Sequence, residues 1–288
     1  MAASIAIDRL EVDVNGYTFS ARAAGPLDGR PVVLLHGFPQ TSWCWRHQLT
    51  RLAREGYRAF APDQRGYSAG ARPKKVADYA MKNLLADVLA LARATKMEQF
   101  DLVGHDWGGM VAWQAATHHP DLLRSLTVAS TPHPLALQHA LLGGDPEQVS
   151  RAPSMDAYYE AGTAERRLLG PDGSGSGLRT LLTETGLGPS EADVYVEALR
   201  APGALTGALN WYRAMGRPDL FELSPVTVPT LYVWSTGDTQ LGRVAAEATA
   251  ECVSAPYSFA VLEGVSHWIP ETAPLQFTEL MVRHLAST

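Results

Sequence analysis

The chain has 288 residues, 46% apolar and 19% charged, with a formal charge of −6, a composition that builds a large folded core and rules out a disordered chain. Its 24 Lys and Arg against 30 Asp and Glu, with no basic cluster, give no field for a phosphate backbone, so no nucleic-acid partner is expected. Cys44 and Cys252 are too few for a disulfide framework or a four-ligand zinc site and read as free thiols. The start MAASIAIDRL has no basic segment followed by a long apolar one, and no apolar run reaches roughly 18 residues, so neither export nor membrane anchoring is expected and the cytoplasm is the expected compartment. In chain order, EVDVN, YTFSARA, PVVLLHG and YRAFAPD are short β-branched or apolar runs between turn residues and read as strands. KNLLADVLALARATK (82–96) changes to helical spacing, with Leu84, Leu85, Val88, Leu89 and Leu91 on one side. FDLVGHD (100–106) is an apolar strand run into a turn, and GMVAWQAATHH (109–119) follows as a helix stopped by Pro120. SLTVAST, TLYVWS and SFAVLEG are three further strand candidates. Strands buried on both faces and alternating with helices predict an α/β fold with a mostly parallel central sheet flanked by helices.

Residues 132–219 break that rhythm with helical segments such as EADVYVEALR and with the loop PDGSGSG at 171–177. They are expected to form an inserted helical cap, with 1–131 and 220–288 making the core. The Gly/Ser loop has no preceding strand and no following Walker lysine, so it reads as a flexible turn rather than a phosphate cradle.

Chemistry concentrates at Gly104-His105-Asp106-Trp107-Gly108. This is a G-x-S-x-G nucleophile elbow with aspartate at the serine position, in the required strand-to-helix context. A side chain on such a turn is held above the sheet, and the positive end of the following helix favours an ionised Asp106. The plainer reading is that Asp106 only caps the helix. Against it, the chain supplies the partners a nucleophile needs in the order nucleophile, acid, histidine. Asp238 follows the strand TLYVWS, and His267 follows the last strand, where loops lean over the carboxyl edge of the sheet. Of nine histidines, His118, His119 and His284 suit helix C-termini or the tail, and His36 suits a structural role in a tight loop.

The segments HGFPQTSWCWRHQ (36–48), DQRGYSAG (63–70), GHDWGG (104–109), NWYR (210–213) and SHWIPETAP (266–274) together resemble the α/β-hydrolase superfamily, specifically its epoxide hydrolases, over nearly the whole chain. GHDWGG is also similar to haloalkane dehalogenases. The resemblance implies an α/β-hydrolase fold, Asp106 as nucleophile, His267 as base, Asp238 as its partner, and the backbone N–H groups of Phe38 and Trp107 as an oxyanion hole. A carboxylate attacks an sp³ carbon to give an ester that activated water then cleaves, so no metal or organic cofactor is expected.

Epoxide opening leaves an alkoxide that needs a proton, whereas halide departure needs only donors. Tyr212 matches the tyrosine that the resembled epoxide hydrolases use to polarise the ring oxygen. A second cap tyrosine is expected in SMDAYYEAGTAE, where Tyr158 is the choice, Tyr159 its neighbour, and Met155 the residue that falls at the family position. The expected substrate is therefore a small apolar epoxide. A haloalkane dehalogenase with the same triad is the alternative, weakened by Phe38, whose side chain cannot donate to halide. A catalytically silent receptor on a hydrolase fold is the second alternative, weakened by the complete Asp106, Asp238, His267 set.

Overall fold

The computed structural model describes residues 5–151, 158–215 and 224–288. Its scaffold is one eight-stranded sheet in the order β1-β2-β4-β3-β5-β6-β7-β8. The strands are β1 (Asp8–Val14), β2 (Tyr17–Ala24), β3 (Pro31–Leu35), β4 (Arg58–Pro62), β5 (Phe100–His105), β6 (Leu123–Ala129), β7 (Thr230–Gly237) and β8 (Tyr257–Ser266). β1 and β2 form an antiparallel hairpin, and β2 pairs antiparallel with β4. All remaining neighbours run parallel. The hairpin closes on Asn15 and Gly16, both at positive φ (53° and 78°), the dipeptide that a tight turn between twisted strands prefers. β5 lies in the middle of the sheet, and all six of its residues are buried.

Helices α1 (Arg46–Arg54), α2 (Met81–Ala94) and α3 (Trp107–His118) cover the sheet from the first half of the chain; the last part adds α10 (Arg243–Ala248), α11 (Ile269–Thr272) and α12 (Pro274–Ala286), of which α12 also packs on the sheet. α2 buries the five apolar residues its spacing predicts, and it buries Asp87 with them. A carboxylate is tolerated there because Arg65 grips it through two bonds of 2.6 and 2.8 Å and Asn15 donates a third at 2.9 Å. The Arg65 backbone in turn accepts a 2.8 Å hydrogen bond from the Trp211 indole, which ties the loop after β4 to the helical segment above it.

Between β6 and β7 the regular elements among the described residues are all helices, apart from one isolated bridge at Val226. It contains α4 (Pro134–Leu142), α5 (Pro146–Arg151), α6 (Thr163–Leu169), α7 (Ser176–Glu184), α8 (Pro189–Arg200) and α9 (Ala204–Met215). The PDGSGSG loop is a turn that runs into α7. Cys44 and Cys252 are both free thiols. No helix among the described residues is long and apolar enough to cross a membrane.

Candidate active site

Asp106 sits on the one-residue turn between β5 and α3 with φ 51° and ψ −121°, a conformation that costs a non-glycine residue of order 1–3 kcal/mol and needs its surroundings to enforce it. The flanking glycines do so by leaving no alternative. A Cβ on Gly108 would lie 2.1 Å from the Leu35 carbonyl oxygen, one on Gly104 would meet the Gly108 carbonyl oxygen at 2.5 Å, and one on Gly37 would strike Asp106 itself at 2.3 Å. Thr131 donates its hydroxyl to the Asp106 carbonyl at 2.9 Å, fixing the far side of the turn.

The Asp106 side chain makes no capping bond to α3, which sets aside the reading of it as a simple helix cap. Instead Oδ1 accepts the Phe38 N–H at 2.7 Å. Burial works against its charge, but His267, the neighbouring His105 and the Trp107 N–H outweigh it, and the carboxyl is held below its ordinary value. The two backbone donors expected from the sequence thus face the Asp106 carboxylate.

His267 approaches from the loop after β8. Its Nε2 is 3.5 Å from Asp106 Oδ2, too long for a hydrogen bond, and that nitrogen is buried with no hydrogen-bond partner among the described residues. Its Nδ1 is 2.8 Å from Asp238 Oδ2. The other oxygen of Asp238 accepts the N–H groups of Gln240 and Leu241 at 2.8 and 3.0 Å, so the carboxylate is oriented from both ends and Nδ1 carries the proton. Burial lowers the basicity of His267, yet the charges of Asp238 and Asp106 prevail and push its pKa up to about 10. The surroundings of His267 therefore favour its protonated form.

The helical segment contributes a second wall. Tyr212 from α9 packs edge-on against Trp107 and Phe38, with ring centroids 4.9 and 5.4 Å away. Tyr158 lies 5.0 Å from Tyr212 and 5.4 Å from Phe38. Both phenols are pushed above their ordinary pKa, by burial first and by the Asp106 anion, and stay protonated as O–H donors. The structure brings Asp106, His267, Asp238, Phe38, Trp107, Tyr212 and Tyr158 together, while Met155 lies outside the described residues. His36, expected to be structural, accepts the Gln64 N–H at 3.1 Å and stacks edge-on with Tyr67.

Sequence reasoning missed four residues around this centre. Tyr67 is buried close enough to feel the Asp106 charge. Gln40, Glu271 and Tyr195 form a hydrogen-bonded group behind His105. Gln40 and Glu271 lie inside quoted motifs, HGFPQ and SHWIPE, but nothing in a linear sequence tells that these two loops meet. Among the described residues no group of three or more His, Cys, Asp or Glu side chains is gathered as a metal ion would need.

Residues 30–274 match the alpha/beta hydrolase fold family. The chain is similar to the AB hydrolase superfamily protein YfhM of Bacillus subtilis, 35% identical over 95% of this chain and 96% of that one. Epoxide hydrolase A of Mycobacterium tuberculosis is 30% identical, covering 95% of this chain and 96% of its own. Among solved structures, Epoxide Hydrolase A from Mycobacterium thermoresistibile superposes with a TM-score of 0.83 at 27% identity, covering 98% of each chain.

Proposed function

The chain belongs to the alpha/beta hydrolase fold family, and from that premise we propose that it is an epoxide hydrolase, converting a small apolar epoxide to a vicinal diol through an ester on Asp106. One observation carries the reading: an ionised aspartate, not a serine, stands on the elbow with its Oδ1 already 2.7 Å from a backbone donor and a pair of protonated tyrosines across from it. The relatives named as epoxide hydrolases support it at full length.

In the first step an Asp106 oxygen attacks a ring carbon, the C–O bond breaks, and the alkoxide takes the Tyr212 phenolic proton, with Tyr158 as the second donor. Ester formation removes the charge that raises the pKa of both Tyr212 and His267. The imidazolium then yields its proton to the tyrosinate and becomes a base. In the second step His267, oriented by Asp238, takes a proton from water, and hydroxide adds to the ester carbonyl. The oxyanion is received by the Phe38 and Trp107 N–H groups, a term worth on the order of 3 kcal/mol per donor. Collapse releases the diol as His267 returns its proton to the leaving oxygen. The new Asp106 carboxylic acid then hands its own proton to His267, which restores the starting state. Residues 132–219 act here as the cap that carries the tyrosines.

The test is ester trapping. His267→Gln removes the base, so incubation with a panel of epoxides should leave a stable mass increment on the peptide bearing Asp106. An increment from haloalkanes alone would replace the substrate class with the dehalogenase alternative. Tight ligand binding without turnover or adduct, in wild type and variant alike, would point to the silent receptor.

A further inference from the structure

Behind His267 lies a buried chain of polar groups that the mechanism does not use. His105 Nε2 is 2.9 Å from the His267 carbonyl oxygen, and His105 Nδ1 is 3.0 Å from the Gln40 side-chain amide. The other end of that amide is 2.5 Å from Glu271 Oε2. All three side chains are essentially inaccessible to solvent. His105 faces His267, Asp106 and Asp238 electrostatically and packs 6.2 Å from the Trp268 ring. Glu271 also accepts from Arg46 at 2.5 Å and from the Tyr195 hydroxyl of α8 at 2.6 Å, and its charge reaches the Cys44 thiol.

Counting donors along this chain exposes a shortage. The His267 carbonyl can only accept, so His105 Nε2 must carry a proton. If Gln40 presents its oxygen to Nδ1 and its NH₂ to Glu271, Nδ1 needs a second proton and the ring is a cation. If the amide is turned over, its NH₂ serves Nδ1 and its oxygen faces Glu271, whose carboxyl must then be protonated. A neutral imidazole beside an ionised Glu271 leaves two acceptors facing each other at hydrogen-bond distance in either orientation. Such a buried mismatch is strongly unfavourable, because both groups lose water and find no donor between them.

We propose that His105, Gln40 and Glu271 hold one proton beyond neutral histidine and ionised glutamate, so that the three form an uncharged unit that positions the loop of His267. The extra proton belongs to the set, and the Gln40 amide turns with it. Burial lowers the basicity of His105 to about 4 and raises the Glu271 carboxyl, the latter against donors from Tyr195, Arg46 and Gln40. Resting on the epoxide hydrolase reading, the consequence is catalytic. An uncharged unit adds no third anion near His267, whereas its deprotonation would strengthen the grip of His267 on its own proton and loosen the carbonyl that anchors it, slowing ester breakdown at alkaline pH.

Two kinds of measurement test this on the whole protein. Imidazole ¹⁵N–¹H correlation spectra at neutral pH should show His105 with both nitrogens protonated, or as the Nε2–H tautomer together with a carboxylic-acid infrared band that disappears in Glu271→Gln. Neutral His105 without that band overturns the proposal whether or not epoxides are turned over. Gln40→Leu cuts the link while leaving both ends, and should return His105 to the neutral Nε2–H form and Glu271 to the carboxylate. For turnover, a glutamine at 271 satisfies every contact with no extra proton, so Glu271→Gln should move the alkaline fall of kcat upward by about one pH unit or more. Glu271→Ala should lower kcat by about tenfold without that upward movement. An alkaline limb unchanged in Glu271→Gln would remove the catalytic consequence, and with normal epoxide turnover it would do so without touching the assignment of function.

Discussion

The sheet-side and helix-side walls of this site are built by different physics. On the sheet side, backbone fixes everything: Asp106 is held in a left-handed conformation by glycines whose Cβ atoms would fall 2.1–2.5 Å from neighbouring carbonyl oxygens or side chains, and its carboxylate is met by main-chain N–H. On the helix side, side chains do the positioning. Tyr212 and Tyr158 lean on each other and on Phe38 and Trp107 through ring contacts of 4.9–5.4 Å. The helix of Tyr212 is tied down by the Arg213–Glu165 pair and by the Trp211 indole on the Arg65 carbonyl. Interlocked backbone has no soft degree of freedom, whereas aromatic packing can be re-cut one ring at a time. The Asp106 turn and the N–H groups that meet it are thus a rigid constant, and the paired tyrosines an adjustable surface.

The strongest way to break that contrast is a single methyl group placed on each side. Gly108→Ala drives a Cβ into the Leu35 carbonyl and should cost about 4 kcal/mol or more, read as loss of folded protein in thermal melts. Gly203→Ala, at φ 74° but with nothing within 4 Å of its Cβ, should cost only about 1–2 kcal/mol. Equal losses would mean that the sheet side is no more rigid than the helix side.

Tyr212→Phe sharpens the contrast from the other direction. Removing one hydroxyl should leave the melting temperature nearly unchanged and slow single-turnover ester formation from epoxides by about 10²- to 10³-fold, with Tyr158→Phe producing a smaller loss. If ester formation were unaffected in both variants, the helix side would be packing only.

A third test lies at the seam, where His133 starts α4. It is fully buried, accepts the Leu135 N–H at 3.3 Å, and burial pushes its pKa down to about 4. Because that value lies below the ordinary 6.5, the unfolded chain takes up the proton first on acidification. The stabilising contribution is therefore complete above pH 6.5 and lost as pH falls toward 4, an effect on the order of 2–3 kcal/mol. His133→Asn keeps an acceptor for Leu135 without the titration, and its unfolding free energy should be flatter across that window in denaturant melts.

How much of this could be read in advance varies with the kind of signal. The β5 run, the flanking glycines and Pro120 mark the elbow because strand, tight turn and helix each leave a local trace. Asp238 and His267 could be found because the order of nucleophile, acid and histidine follows the order of the strands. Asp87 broke the pattern: it reads as a polar residue of an amphipathic helix, and only the arrival of Arg65 and Asn15 makes its burial tolerable. Tyr195 likewise looks like one more apolar position of α8, until its hydroxyl is seen 2.6 Å from Glu271.

The sequence by itself determined the alternation of strands and helices, the aspartate on the elbow and the residue types of its partners, because periodicity, turn chemistry and chain order are properties of neighbours along the chain. Only the tertiary structure decided that Nε2 of His267 stands 3.5 Å from Asp106 Oδ2, that Tyr158 and Tyr212 share one face, and that Gln40 and Glu271, 231 positions apart, meet behind His105. Those are contacts between segments that meet around the carboxyl edge of the sheet. The parallel crossovers bring such loops together from distant parts of the chain, and no local pattern encodes which side chains will then touch.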